Sequence, residues 1–176
     1  MVWASPAVLA FAEQGADAEQ SAQRFTSGGG AGVVLRFAGF FGPDSPQTRQ
    51  LIGFVRRGWA PIPGVPKRFF SSVAHDDAAT AVVAALGLSA GVYNVADDEP
   101  LRRRELFDSL AATLGVASPR CPPTWMTPLM GSLGETLARS ERITNRKLRE
   151  ASSWWPRYPS AREGWPDTVK AMRAST

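Results

Sequence analysis

Short apolar runs alternate with longer helix-like segments along this chain, and this alternation limits the fold more than any other feature of the sequence. Apolar residues that recur every three or four positions predict helices, whereas short β-branched and aromatic runs predict strands. The predicted strands are VVLRF (33–37), FFSSV (69–73) and GVYNVAD (91–97), and the predicted helices cover 6–26, 47–58, 76–87, 101–115, 144–151 and 160–174. Alternating strands and helices predict an α/β layer architecture with parallel strand pairing. Since few strands are available and the first element is a helix, we expect an incomplete sheet that forms part of a larger fold.

The helix boundaries follow from capping residues. Asp76 is expected to cap helix 76–87, Thr144 to cap helix 144–151, and Gly87 and Gly115 to end the helices before them. The apolar faces are predicted at Ala79, Val82, Val83 and Leu86 in one helix, and at Leu106, Leu110 and Leu114 in the next. The segments between elements are predicted to be a loop at 38–46, a Pro-rich connection at 59–67, an extended stretch at 116–123, a Pro-interrupted helix at 123–140 and a rigid turn at 154–159.

The composition is that of a globular protein, with 44% apolar and 20% charged residues in 176 positions. The net charge is +4, but the basic residues are scattered and the longest run is RRR at 102–104, so we expect no nucleic-acid binding. Cys121 and His75 are the only cysteine and the only histidine, which argues against a disulfide and against a metal site. No apolar run is long enough to span a membrane, and the N-terminal stretch has no basic region typical of a signal peptide, so a cytoplasmic protein is expected.

The run GGGAG at 28–32 invites comparison with a phosphate-binding loop. A dinucleotide loop follows a strand and opens a helix, so that the helix N-terminus faces the pyrophosphate. This run leaves a helix and enters a strand, which favours a simple turn. The sequence therefore contains no dinucleotide fingerprint.

Several reactive residues have a structural interpretation beside the catalytic one. Asp76 and Asp77 precede a helix, as do the acidic residues 97–99, so helix capping is favoured over acid–base or metal chemistry. His75 could act as a general base, but no serine or cysteine nucleophile stands in a recognisable motif. Cys121 is expected to be an unreactive thiol. The six tryptophans are expected to pack in the core and turns, with stacking on a sugar or base as the alternative.

Four segments resemble, in order, motifs of the extended short-chain dehydrogenase/reductases, the NAD-dependent epimerase/dehydratase family. They are VVLRFAGFFGPDS (33–45), FFSSVAHDDAATAVVAAL (69–86), GVYNVADDEPLRRRELFDSLAATLG (91–115) and RITNRKLREASSWWPRYPSAREG (142–164). The resemblance implies the C-terminal half of that family. The expected fold is thus an incomplete Rossmann-like NAD(P)-binding parallel sheet, made of the C-terminal strands, plus a small C-terminal substrate-binding subdomain. It assigns 1–43 and 69–98 to the sheet and helix layer, and 44–68 and 99–176 to the substrate subdomain.

The resemblance also implies that the family's catalytic groups are missing. Members carry Tyr-x-x-x-Lys on the helix before the first strand, commonly with a Glu four residues later. Counting back from Glu19 places Gly15 at the Lys position and Phe11 at the Tyr position. Phenylalanine has no proton to exchange and glycine has no charge to lower a neighbouring pKa. No catalytic residue is therefore assigned.

The resemblance places Arg36, Phe37, Ala38 and Gly39 against the nicotinamide, and Phe41, Gln47 and Asn145 in the substrate pocket. Some members carry an Asn at the position of Gly39 to hold substrate, and Phe41 replaces a Tyr that is usual in the family. NAD or NADP is the implied cofactor, although binding by this chain alone is doubtful because the Gly-rich loop is missing.

The preferred hypothesis is a truncated NAD(P)-dependent epimerase/dehydratase-like protein that does not by itself perform the Tyr/Lys chemistry. Two alternatives stay open: a non-catalytic dinucleotide- or protein-binding regulatory module, and a fragment of a longer sugar-nucleotide epimerase or reductase. The expected partners are a second copy of the chain or a separately encoded N-terminal half, with no nucleic acid and no membrane.

Overall fold

The computed structural model describes residues 6–60, 66–121 and 140–174, with only the helical path given for 6–14. Strands and helices alternate as predicted, and the α/β fold class is confirmed. The helices are α1 (Pro6–Ser27), α2 (Pro46–Arg56), α3 (His75–Ala85), α4 (Arg103–Leu114), α5 (Arg146–Ala151) and α6 (Ala161–Ala174). The strands are β1 (Val33–Phe37), β2 (Gly39–Phe41), β3 (Phe69–Phe70), β4 (Ser72–Ala74), β5 (Gly91–Val95) and β6 (Leu101–Arg102).

The strands pair two by two in the described part of the chain. β1 runs parallel to β5 from Val33 opposite Gly91 to Phe37 opposite Val95. β2 runs parallel to β4, as the parallel prediction requires, but β3 and β6 are antiparallel. The prediction of parallel pairing was therefore wrong for the short strands β3 and β6.

Two segments differ from the sequence prediction around Ser71. The segment 38–46 contains β2 and is not all loop, and FFSSV is divided into β3 and β4, which lie in different sheets. The division falls at Ser71, whose side chain is fully buried. Its hydroxyl donates to the Glu141 carbonyl at 3.1 Å and accepts the Ile143 N–H at 2.9 Å. Because Ser71 bonds to this distant segment, the run 69–73 is divided between two sheets.

The predicted apolar face of α3 is wrong. Val82, Val83 and Leu86 are exposed, whereas Asp77, Ala78 and Ala81 are buried. Small side chains face inward because α3 packs against β1 and β4, which brings its backbone close to the sheet. The helix begins after Ala74 and has no side-chain cap, so Asp76 does not cap it.

The helix α4 confirms its predicted apolar face. Leu106 and Leu110 are buried and Leu114 packs against the same cluster. Gly115 ends the helix with a φ of +70°, a left-handed conformation that glycine adopts without a steric penalty. Asn145 precedes the first turn of α5, one residue later than predicted, while Thr144 Oγ1 accepts the Arg146 N–H at 3.3 Å.

Buried apolar residues form two clusters. The first lies between α2, α4 and α6 and includes Val55, Phe107, Leu110 and Trp165. The second packs α3 against β1 and β5, with Leu148 and Trp154 from the C-terminal part of the chain. Trp154 also donates its indole N–H to the Asp77 carbonyl at 3.1 Å. The predicted division into two subdomains stays a prediction.

Parts of the predicted connections fall outside the described residues, namely 61–65 and 122–139, which include most of the predicted helix 123–140. None of the helices in the described ranges has the length and apolar character needed to cross a membrane.

Candidate functional site

The carboxyl ends of β1 and β5 lie side by side and define the candidate site. The Ala38 N–H donates to the Val95 carbonyl at 2.9 Å, which holds the segment after β1 beside the segment after β5. In open α/β sheets, ligands bind in the crevice beyond the carboxyl ends of the strands. Residues 38–39 and 96–98 therefore occupy the position at which a ligand is expected.

An ion pair joins α1 to β1. Two of the three Arg36 side-chain nitrogens, Nε and Nη2, donate to the Glu19 carboxylate at 2.7 Å, in a bidentate arrangement. These bonds lower the pKa of Glu19 and raise that of Arg36. Gly15 lies one turn before Glu19, is exposed, and a Cβ placed on it meets nothing within 4 Å. Packing within the described structure therefore does not require glycine at this position. Phe11 lies on the same helix, with its side chain outside the described atoms.

The four residues predicted to face the nicotinamide lie together at the end of β1. Arg36 is engaged by Glu19, and the N–H groups of Ala38 and Gly39 donate to the carbonyls of Val95 and Ser71. The Phe37 ring lies 5.2 Å from the Phe40 ring, centroid to centroid. The Phe37 ring and the backbone of residues 38–39 form a surface for a ligand, but the N–H groups of Ala38 and Gly39 already donate within the protein.

An aromatic cleft of about 430 Å³ opens beside these strand ends. Gly39, predicted beside the nicotinamide, lines it together with Phe41 and Gln47, which were predicted in the substrate pocket. The complete set of lining residues, called the aromatic cleft below, is Gly39, Phe40, Phe41, Gln47, Thr48, Gln50, Leu51, Phe54, Phe70, Ser72, Leu106 and Trp165.

Gly39 is required by a close approach to an aromatic ring in this cleft. A Cβ on Gly39 would lie 2.6 Å from Cζ of Phe70 and 2.9 Å from Cε1. An asparagine, which the family resemblance suggests at this position, does not fit unless Phe70 moves. The ring therefore occupies the space in which a polar side chain would otherwise stand.

Asp97 is a buried carboxyl group at the end of β5, not a helix cap as predicted. It is 3% exposed, and its Oδ2 accepts the Ser72 hydroxyl at 2.6 Å. Its Oδ1 has no hydrogen-bond donor among the described residues. Burial raises the pKa of Asp97 to about 6, against the opposing effect of the bonds from Ser72. A carboxyl group with this pKa exchanges its proton near neutral pH.

Asn145 lies apart from the aromatic cleft and lines a second cavity of about 690 Å³. Its amide donates to the Ala96 carbonyl at 2.8 Å and to Asp98 Oδ1 at 2.7 Å. Asp98 also accepts a bond from Arg149 at 2.8 Å, so it too is no helix cap. The three predicted substrate-pocket residues are thus divided between two cavities.

Asp77 connects α3 to the turn at 154–159. Its two carboxylate oxygens accept the N–H groups of Arg157 at 2.7 Å and Tyr158 at 3.2 Å. Burial is the main cause that raises the pKa of Asp77. The role is structural, as the sequence interpretation proposed, but the bonded partners lie eighty residues away and not in the first turn of its own helix.

His75 and Cys121 form no reactive constellation in the part of the chain that the structure describes. The His75 ring packs edge-on against Phe40, with 5.7 Å between centroids. Cys121 is a free, half-buried thiol. No group of three or more His, Cys, Asp or Glu residues within the described ranges is arranged to hold a metal ion.

The prediction missed Phe54, Phe70, Ser72 and Trp165 of the aromatic cleft. A signal for one of them was present, since Gln47, Leu51 and Phe54 recur at helical spacing and so share one face of α2. Phe70 and Trp165 come from distant segments, and their meeting depends on tertiary packing.

Known proteins resemble this chain both in sequence and in fold. The sequence is 34% identical over 139 residues to 3-diazoavenalumate denitrifying reductase of a Streptomyces species, a match that covers 76% of this chain and 46% of that protein. The fold matches the human epimerase family protein SDR39U1, solved with NADPH, with a TM-score of 0.71 and 17% identity over 80% of this chain and 49% of that one. It also matches UDP-glucose 4-epimerase of Thermotoga maritima, solved with UDP-glucose, with a TM-score of 0.69 and 21% identity over 89% and 51%.

This chain has the fold of the extended short-chain dehydrogenase/reductases. The Rossmann-like fold predicted from the sequence is confirmed, as far as these partial matches extend. The chain spans about half the length of the curated relative and of the solved structures that it matches. No protein-family model matches the chain.

Proposed function

We propose that the protein is an NAD(P)-dependent epimerase/dehydratase- or reductase-like protein, to which this chain contributes the nicotinamide-facing strand end and the substrate cleft. The observation that carries the proposal is the position of the aromatic cleft. Gly39 lies two residues beyond the carboxyl end of β1, and Ser72, which pairs with Gly39, lines the same cleft. Ligands of α/β folds bind beyond the carboxyl ends of the strands. A named reductase among the relatives supports the same class of chemistry.

The chain does not perform the Tyr/Lys proton transfer of the family in this proposal. The Glu19–Arg36 ion pair connects α1 to β1 at Glu19, the residue from which the register was counted, which supports Gly15 as the Lys position and Phe11 as the Tyr position. A positioned general acid or base contributes roughly 100- to 10,000-fold to a rate. Any turnover therefore depends on a proton donor from another group.

The described residues fit a dinucleotide only in part. Phe37 and Gly39 provide a wall for a flat ring, but the N–H groups of Ala38 and Gly39 are already bonded within the protein. When bound, the nicotinamide would supply the hydride chemistry. Its diphosphate needs a separate cradle of N–H donors, such as a helix N-terminus after a Gly-rich turn.

We place that cradle on a partner segment beside β1. Within the described residues, β1 pairs with β5 alone, so its other edge is open to a further strand. An unpaired edge is a template for adding a strand from another segment. The occupant that fits is a separately encoded N-terminal half with a Gly-rich turn, because a second copy of this chain could pair at the same edge but carries no such turn. The cytoplasmic location stays a prediction.

The test is cofactor binding by the purified chain, followed as a shift in Tm with NADH and NADPH and as loss of NADPH absorbance with candidate carbonyl substrates. We expect neither a Tm shift nor NADPH oxidation by the chain alone. A ligand at about 100 times its Kd stabilises a protein by about 2.7 kcal/mol, so binding would be visible. A Tm shift without oxidation would instead favour the non-catalytic dinucleotide-binding module. NADPH oxidation by the isolated chain would overturn the proposal.

A further inference from the structure

We infer that the aromatic cleft binds an uncharged, flat aromatic ligand and excludes nucleotide diphosphates. This inference rests on the proposed function, because it names the substrate class for the same cleft. It depends on three features of the molecule: the chemistry of the cleft lining, the arrangement of its aromatic rings, and the location of the cationic side chains around the second cavity.

The described lining of the cleft carries no charged side chain. Five of the lining residues are aromatic and two are leucines, while the polar ones are hydroxyl or amide groups. Three of these polar groups are already engaged: Thr48 Oγ1 accepts the Gly42 N–H at 3.2 Å, Gln47 Oε1 accepts the Ser45 hydroxyl at 3.0 Å, and the Ser72 hydroxyl donates to Asp97. A diphosphate buried here would find no cationic side chain in the described lining to offset the loss of its water, and the neutral amides of Gln47 and Gln50 are weaker partners for its charge.

The shape of the cleft favours a planar ligand. Phe40 and Phe54 line it with half-exposed rings, 50% and 43% accessible, while Phe41 and Trp165 form a buried pair with 4.8 Å between centroids. Exposed rings beside buried ones offer stacking and edge contacts to a further ring. The volume, about 430 Å³, suits a small molecule.

Cationic side chains lie around the second cavity instead. Arg142, Arg146 and Arg149 line that cavity with Asn145, whereas none of them lines the aromatic cleft. Arg149 already pairs with Asp98 and lies 3.3 Å from the centroid of the Trp155 ring. Positive charge is thus available for an anionic group at a different place in the chain, which leaves the aromatic cleft to an uncharged ring.

The experiment uses the full chain without cofactor, with indole as the uncharged probe and uridine diphosphate as the competitor. Binding is measured by saturation-transfer NMR and by calorimetric titration. We expect indole to bind, and uridine diphosphate to leave the indole signal unchanged. Phe54→Ala should weaken indole binding roughly fivefold, because it removes a ring from the cleft. The matched control is Phe25→Ala, which removes an exposed phenylalanine of α1 outside the cleft and should leave binding unchanged.

A gain-of-function variant tests the charge argument directly. Gln50 is an exposed residue of the lining, so Gln50→Lys places a cation in the cleft with little effect on folding. We expect uridine diphosphate to displace indole from this variant. The inference is overturned if wild-type protein binds no indole, if uridine diphosphate competes at the wild-type cleft, or if both phenylalanine variants lose binding equally. Since no cofactor is present, these outcomes concern the cleft alone and leave the NAD(P) proposal to its own assay.

Discussion

Replacing Asp97 by asparagine should make the protein more stable at pH 8 and leave it unchanged near pH 4. The side chain is 3% exposed, and burial raises its pKa from an ordinary 3.8 to about 6. The native state therefore holds this proton more tightly than the unfolded state does. Stability from this group is fully present below about pH 4 and is lost as the pH rises through about 6. A shift of about two units corresponds to about 3 kcal/mol.

Asparagine has the same shape but no charge, and its amide oxygen can still accept the Ser72 hydroxyl. The free energy of unfolding, measured by urea titration with tryptophan fluorescence from pH 4 to 8, should fall by about 2–3 kcal/mol more in the wild type than in Asp97→Asn. Asp44→Asn, which changes an exposed carboxylate in the same way, is the control and should behave as the wild type does. A variant less stable than the wild type at pH 8 would refute the reasoning, because it would show that the buried group is stabilising as a carboxylate.

Three further predictions concern packing and connection, each measured as the free energy of unfolding in urea. Asp77→Asn should cost about 1–3 kcal/mol, since an amide cannot accept both N–H groups of the 157–158 turn; an unchanged value would mean that those bonds contribute nothing. Leu110→Ala should cost about 2–5 kcal/mol, whereas Leu86→Ala, at an exposed residue directly after α3, should cost under about 0.5 kcal/mol; equal losses would contradict the burial. Gly39→Asn should cost about 1–3 kcal/mol, and less when Phe70→Ala is also present; additive losses would rule out the clash.

The fold was largely predictable because hydrophobic periodicity and helix stops act locally. In α4, the leucine spacing and the final glycine identified both the buried face and the helix end. In α3, the same method chose the wrong face, because large apolar residues were assumed to point inward. In this helix the close approach to the sheet leaves room only for small side chains such as alanine on the buried face. The hydrogen bonds between Asp77 and the turn at 154–159 hold that face of the helix toward the protein interior.

The site was predictable where it follows from the order of elements. Gly39, Phe41 and Gln47 lie in one cleft because a single strand–loop–helix segment carries them. Asn145 reaches a different cavity, and Asp97 is buried beneath Ser72, because both depend on contacts between segments far apart in the chain. Capping rules describe the first turn of a helix and contain no information about such contacts.

The open surroundings of Gly15 leave room for the lysine that the proposed register places at this position. A core residue is enclosed by its neighbours, whereas a Cβ placed on this glycine meets none of the described atoms within 4 Å beyond the local helix backbone. Because lysine is the better helix former, Gly15→Lys should even stabilise α1 by roughly 0.5–1 kcal/mol. In the proposed register, one member of the family's proton-transfer pair could thus return through one amino-acid substitution, on a helix that the Glu19–Arg36 ion pair connects to β1.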